Sequence, residues 1–162
     1  MTWRAWFVFF KRHDGVSISR TTMAFAALDL GARRIGVAVS DSSGFSVHPL
    51  RTIDRGRSMG ADIEAIKLTL GSRSIECLIV GLPVNMDGSE GPMARHARNF
   101  AARLANGLGI AVELQDERLS SFEAEQRLGN SVARGKRKHA IDAVAAVVIL
   151  ESWLDRHNPA SK

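Results

Sequence analysis

The chain has 162 residues, a net charge of +5, 45% hydrophobic residues and a single cysteine. That length supports one domain with its own core, and one cysteine excludes both an internal disulfide framework and a thiolate zinc cage. No apolar run reaches the ~20 residues of a membrane-spanning helix, so the reading is a soluble α/β-type chain in the reducing cytoplasm, with no membrane partner.

Residues 1–22 stand apart from the rest. Trp3, Trp6, Phe7, Val8, Phe9 and Phe10 form a short apolar cluster, followed by Lys11-Arg12-His13-Asp14. The segment lacks the longer apolar core and small-residue cleavage site of a secretory signal. We expect a disordered or loosely docked extension. The other readings are a true start at Met23 and a membrane-surface anchor. Four of the 22 basic residues and one acid fall here, which leaves the body only mildly basic. Bulk charge alone is therefore weak support for a nucleic-acid partner, and charge clustering matters more.

The domain is expected over residues 23–158, with a short tail at 159–162. Phe25 to Leu28 is apolar, and Ile35, Val37 and Val39 alternate with small residues, which predicts two strands joined by a glycine turn. Asp29 ends the first strand, where a carboxylate costs desolvation energy unless it is solvated, paired or bound to a cation. Gly31 follows and leaves room for a phosphate or metal to approach the backbone. An ordinary Asp/Gly hairpin turn is the competing reading. After the turn cluster Asp41-Ser42-Ser43-Gly44, Phe45 to Ile53 reads as a third strand, with Pro49 marking a bulge or an edge. Asp54 to Gly60 is a loop. A helix starts near Ala61 and stops at Gly71.

Ile75 to Val80, apolar except for Glu76, predicts a strand buried on both faces of a parallel sheet. The loop Gly81 to Ser89 then sits at a strand's C-terminal end, where open α/β sheets place ligands. Pro92 suits an early helical position. Met93, Ala97, Phe100, Ala101 and Leu104 form one apolar helical face, with Arg95, Arg98 and Arg103 off it. Gly107 and Gly109 end that helix. Ile110 to Gln115 is a further strand, running into Asp116-Glu117-Arg118. Ser120 and Glu123 match a capping box and predict a helix start. Of Asp116 and Glu117, alternation lets only one face a given partner, and spacing does not say which.

Arg134-Gly135-Lys136-Arg137-Lys138 is the densest charge in the chain. It reads as a phosphate-binding patch or as a solvated loop. The last helix, from about His139 to Arg156, is apolar all round and so should be buried. Asp142 interrupts its apolar run. An acid there complements the helix dipole by ~0.3–1 kcal/mol, but the preferred reading is that it faces a cation.

Three acids thus lack a structural reason: Asp29, Asp116 or Glu117, and Asp142. Hard divalent ions take such oxygen ligands, and two of them can activate water against a phosphodiester. Leu28-Asp29-Leu30-Gly31 with Arg34-Ile35-Gly36-Val37-Ala38, then Ile79 through Gly88, then Asp116-Glu117-Arg118-Leu119-Ser120, then Asp142-Ala143-Val144-Ala145-Ala146 with Ile149-Leu150, resemble the YqgF/RuvX family over residues 24–157. These are the bacterial pre-16S ribosomal RNA nucleases, also described as Holliday-junction-resolvase-like.

The resemblance implies an RNase H-like fold, a central mixed five-stranded sheet with helices on both faces. It implies a Mg²⁺- or Mn²⁺-dependent endonuclease with Asp29, Glu117 and Asp142 as metal-binding acids, choosing Glu117 over Asp116. Asn85 and Arg118 are implied near the site. The expected partners are structured RNA, or alternatively a DNA junction, with ribosome-assembly machinery, the protein being a monomer or homodimer. Gly31, Arg134, Lys136, Arg137 and Lys138 complete the candidate substrate contacts. The family often has a lysine just before the last Asp, whereas Ala140 and Ile141 stand here. Two rivals remain at this level. An actin-like ATPase or sugar kinase shares the hairpin but needs a second domain. An RNA-binding assembly factor would hold RNA without cutting it.

Overall fold

The computed structural model describes residues 24–41, 46–117 and 137–157, the side chains of 137–139 excepted. The expected extension at 1–22, most of the 41–44 turn, the capping-box helix at Ser120 and the tail lie outside the described residues. The elements are β1 (Ala24–Leu30), β2 (Arg34–Ser40), β3 (Val47–Asp54), α1 (Met59–Leu70), β4 (Ile75–Leu82), α2 (Pro92–Leu108), β5 (Ala111–Asp116) and α3 (Arg137–His157).

Five strands form one sheet in the order β3-β2-β1-β4-β5. β1, β2 and β3 pair antiparallel, whereas β4 pairs parallel to both β1 and β5. The sheet is therefore mixed, and β1 is its junction. Pro49 does what a proline in a sheet must. It sits on the edge strand β3, opposite a register shift between Val37 and Ala38.

Strand alternation sorts the core into two layers. Ala26, Leu28 and Leu30 of β1, Ile35, Val37 and Val39 of β2, and Leu78, Val80 and Leu82 of β4 pack with Ile66 and Leu70 of α1 and Ala97, Phe100 and Leu104 of α2. The opposite face carries Ala27, Ala38, Cys77 and Ile79, which meet Ala146, Val147, Ile149, Leu150 and Trp153 of α3. Helices thus cover both faces, as expected. Burying β4 on both sides explains its nearly unbroken apolar run.

Several boundaries differ from the sequence reading, for local reasons. Helix α1 starts at Met59 because Ser58 caps it, its Oγ accepting from the Ala61 N–H at 3.2 Å. Gly107 does not end α2 but lies within it, and a Cβ there would stand 3.2 Å from Ile63 Cγ2. Gly109 is the terminator, with φ 66° and its N–H bonded to the Ala105 carbonyl. Among the described residues, no helix is long and apolar enough to cross a membrane.

Candidate active site

The same alternation that builds the core decides which side chains can meet. On β1, Asp29 shares its side with Ala27. On β2, Gly36 and Arg34 share theirs with Ala38, and Asp29 and Gly36 are directly paired. On β4, Gly81 follows Cys77 and Ile79. On β5, Glu113 receives the Trp153 indole N–H at 2.8 Å, which puts Glu113, Gln115 and, one step past the strand, Glu117 under α3. All these positions therefore lie on the α3 face. Asp116 alternates to the other side, which resolves the pair that spacing had left open.

Two strand glycines make room for this arrangement. A Cβ at Gly36 would lie 1.9 Å from the Asp142 carbonyl oxygen. Only a glycine lets α3 come this close to β2, and it brings Asp142 over the β1–β2 pair. A Cβ at Gly81 would lie 2.1 Å from Glu117 Oε2 and 2.8 Å from Ile149 Cδ1. The Glu117 carboxylate thus lies directly on the backbone of β4. The sequence reading gave these glycines no role, although a glycine inside a strand marks a close backbone approach.

The electrostatics of the acids are unusual. Burial, and then the charge of Asp142, pushes Asp29 up to about 6. Burial, then Asp29 and Asp116, pushes Glu117 up to about 8. Among the described residues neither has a cationic partner, and Glu117 Oε2 is buried with no hydrogen bond. Asp142 differs. Its Oδ2 accepts from Arg34 Nε at 2.5 Å, with both side chains about one-fifth exposed. It stands in the second turn of α3, beyond the first-turn reach of the helix dipole. The cation facing Asp142 is thus a guanidinium.

Among the described residues, no three carboxylate, imidazole or thiol groups stand close enough together to hold an ion as they are placed. The donor set nonetheless suits a hard divalent ion. It consists of carboxylate oxygens, one of them buried and without a hydrogen bond among the described residues.

The surroundings are firmly built. At the C-terminal end of β4, the Asn85 N–H bonds the Ser89 carbonyl at 2.9 Å, and Asn85 Nδ2 donates to Ser89 Oγ at 2.8 Å. Asp87 Oδ1 accepts from the Ser89 N–H and hydroxyl. Asn85 is therefore a loop-shaping residue at the site end of the sheet. Gly31 is explained by the turn itself, because a Cβ there would meet the Arg34 carbonyl oxygen at 2.9 Å.

A network on the α1 side was not anticipated. The buried Asp62 accepts from Arg55 Nε at 3.0 Å and from the Gly56 N–H at 2.7 Å. Arg55 also donates to the Gly31 carbonyl at 3.4 Å and reaches His96 Nε2 at 3.1 Å. Since a guanidinium only donates, His96 Nε2 is the acceptor. The β1–β2 turn is thereby tied to α1 and α2. Arg118, Arg134 and Lys136 lie outside the described residues, as do the side chains of Arg137 and Lys138, whose backbones open α3.

The RuvX family, described as Holliday junction resolvase, matches residues 23–156. This chain belongs to the RuvX family. Among RuvX relatives, a Myxococcus xanthus protein named "Putative pre-16S rRNA nuclease" is 46% identical over 138 residues, covering 85% of this chain and 91% of its own length. A protein of the same name from Anaeromyxobacter is 47% identical, covering 83% and 99%. One from Synechococcus elongatus is 45% identical, covering 82% and 89%. In structure, Thermus thermophilus RuvC, solved with a Holliday junction substrate, superposes with a TM-score of 0.50 at 16% identity, covering 83% of this chain and 96% of that one. At that identity the likeness supports the RNase H-like fold of the RuvX chain.

Proposed function

We propose that this chain is a divalent-metal-dependent endonuclease of the cytoplasm that hydrolyses phosphodiester bonds in structured RNA, at the 5′ end of precursor 16S ribosomal RNA. One observation carries the reading. Three acids from distant parts of the sequence share one face of the sheet, and a buried oxygen of one of them, Glu117 Oε2, has no hydrogen-bond partner among the described residues. A group that costs free energy to bury and returns none to the fold is a functional candidate.

Asp29, Glu117 and Asp142 would hold Mg²⁺ or Mn²⁺. The chemistry such an ion supplies there is activation of water at neutral pH and stabilisation of the leaving oxygen. The chain's own residues do the rest. Burial keeps the proton on Glu117 at neutral pH, where Asp29, raised only to about 6, is mostly ionised, and this limits the repulsion between them until a cation arrives. The Asn85–Ser89 loop, shaped by its own hydrogen bonds, stands at the end of β4. The Gly31 turn, held by Arg55, fixes where Asp29 points. Arg118, Arg134, Lys136, Arg137 and Lys138 supply positive charge for the backbone, so binding weakens steeply as salt rises.

The deciding assay offers a precursor 16S 5′ fragment and a four-way DNA junction side by side, in Mn²⁺, Mg²⁺ or EDTA, with Asp142→Asn as control. The expected outcome is metal-dependent cleavage of the RNA, lost in the variant. Cleavage of the junction alone would make the chain a resolvase. Binding without cleavage in every metal would overturn the nuclease reading in favour of an RNA-holding assembly factor.

A further inference from the structure

We propose that Arg34 is a built-in placeholder for the divalent ion on Asp142, holding that carboxylate in the metal-free protein and surrendering it when the ion binds. The inference rests on reading the three acids as a metal site, and goes beyond it by assigning a role to a residue outside the acid set.

The geometry leaves Arg34 few other roles. It opens β2, two residues before Gly36 and on the same side of the strand. Gly36 pins the Asp142 backbone, because a Cβ on it would overlap the Asp142 carbonyl oxygen at 1.9 Å. The main chain of Asp142 is therefore fixed relative to Arg34, and only the side chain is free to change partners. Among the described residues, Arg34 is the carboxylate's one recorded partner. Among the described residues the other two acids have no cation, and the three acids as placed form no group that could hold an ion while Arg34 occupies Asp142.

Comparison with another arginine–aspartate pair, Arg55–Asp62, points to exchange at this one. Asp62 has a side chain 2% exposed and a second bond from a backbone N–H. Asp142 is 20% exposed and Arg34 21%. Water and ions thus have more access to the Asp142 carboxylate than to that of Asp62, which a second bond also holds. A doubly charged ion that takes carboxylate oxygens directly, in a cluster already rich in negative charge, displaces a single guanidinium at small cost. The displaced guanidinium keeps its fork of donors for phosphate.

The test uses the full chain as wild type, Arg34→Gln, Arg34→Lys and Asp142→Asn. Mn²⁺ binding is measured by titration calorimetry at fixed pH and salt, and thermal unfolding is followed in EDTA and in saturating Mn²⁺. Removing a positive charge that competes for the carboxylate should tighten Mn²⁺ binding about tenfold in Arg34→Gln. The same variant should unfold at lower temperature than wild type in EDTA, and the gap should close in saturating Mn²⁺. Arg34→Lys, which keeps the charge without the fork, should bind between the two and stands in if the glutamine variant fails to fold. Unchanged affinity, with the stability gap persisting in Mn²⁺, would make Arg34 a structural partner and overturn the proposal. Weaker binding in Arg34→Gln would overturn it too, by making Arg34 a support that orients Asp142 for the ion. If wild type and Asp142→Asn bind Mn²⁺ equally or not at all, the metal-site reading fails, and the placeholder with it.

Discussion

Asp62 and Glu117 both sit largely out of water, on opposite faces of the sheet. Asp62, in the first turn of α1, is 1% exposed and spends both carboxylate oxygens, one on Arg55 and one on the Gly56 N–H. Glu117, under α3, has an oxygen that is equally dry and has no hydrogen bond among the described residues. Both are buried acids, so burial alone does not separate a structural carboxylate from a functional one. The partner does. A satisfied acid ties elements together, whereas an unsatisfied one weakens the fold and is kept for something that arrives from outside.

That contrast can be broken most forcefully at Asp62. Asp62→Ala leaves Arg55 largely buried without its carboxylate and should destabilise the protein by ~3–5 kcal/mol, read by urea denaturation. A loss below ~1 kcal/mol would reduce the pair to a surface ion pair. Next in size is Gly36→Ala, whose methyl meets backbone rather than a movable side chain. We expect a loss of about 3 kcal/mol, since α3 must lift from β2. Gly81→Ala sharpens the comparison, because the atoms it meets are the ends of Glu117 and Ile149. It should cost only about 1 kcal/mol in stability and still abolish cleavage, by swinging Glu117 off its seat.

Glu117→Gln should run in the opposite direction. It removes a carboxylate that burial disfavours, so the metal-free protein should gain ~1–2 kcal/mol, while metal-dependent cleavage disappears. The pH dependence has the same sign. Glu117 and Asp29 are raised from 4.5 and 3.8 to about 8 and about 6, so the folded state holds more protons than the unfolded chain between those limits. Their stabilising contribution is complete below pH ~4 and is lost as pH rises through about 6 and then about 8. Thermal melts in EDTA from pH 5 to 8.5 should therefore fall, and should flatten in the Asp29→Asn/Glu117→Gln double variant. The smallest effect belongs to Leu68→Ser. This side chain is 79% exposed and should change stability by no more than ~0.5 kcal/mol.

Most of the scaffold was legible because its patterns are periodic. Alternation in β1 and β2, the unbroken run of β4 and the apolar face of α2 each carry a local signal that tertiary packing then honours. Asp29 and Asp142 stood out because a charge interrupts an apolar pattern. The role of Gly36 and Gly81 was not legible, since a close approach depends on what lies across the sheet. Asp62 escaped notice for a related reason. An acid in the first turn of a helix looks like a response to the dipole, and only the folded structure shows Arg55 and Gly56 converging on it. Spacing could not separate Glu117 from Asp116, which the family resemblance did; the physical reason lies in the alternation along β5, set by its neighbours in the sheet.

The placement of Asp142 on α3 has a consequence for timing. As the chain leaves the ribosome, β1 and β5 emerge with their acids well before α3. Without α3, the face holding Asp29 and Glu117 is open to water and its apolar residues have no cover. Asp142 comes to the face that holds Asp29 and Glu117 only after this late helix has emerged and docked through Gly36. A half-made chain beside abundant ribosomal RNA is therefore unarmed, because the step that completes the core is also the one that assembles the site.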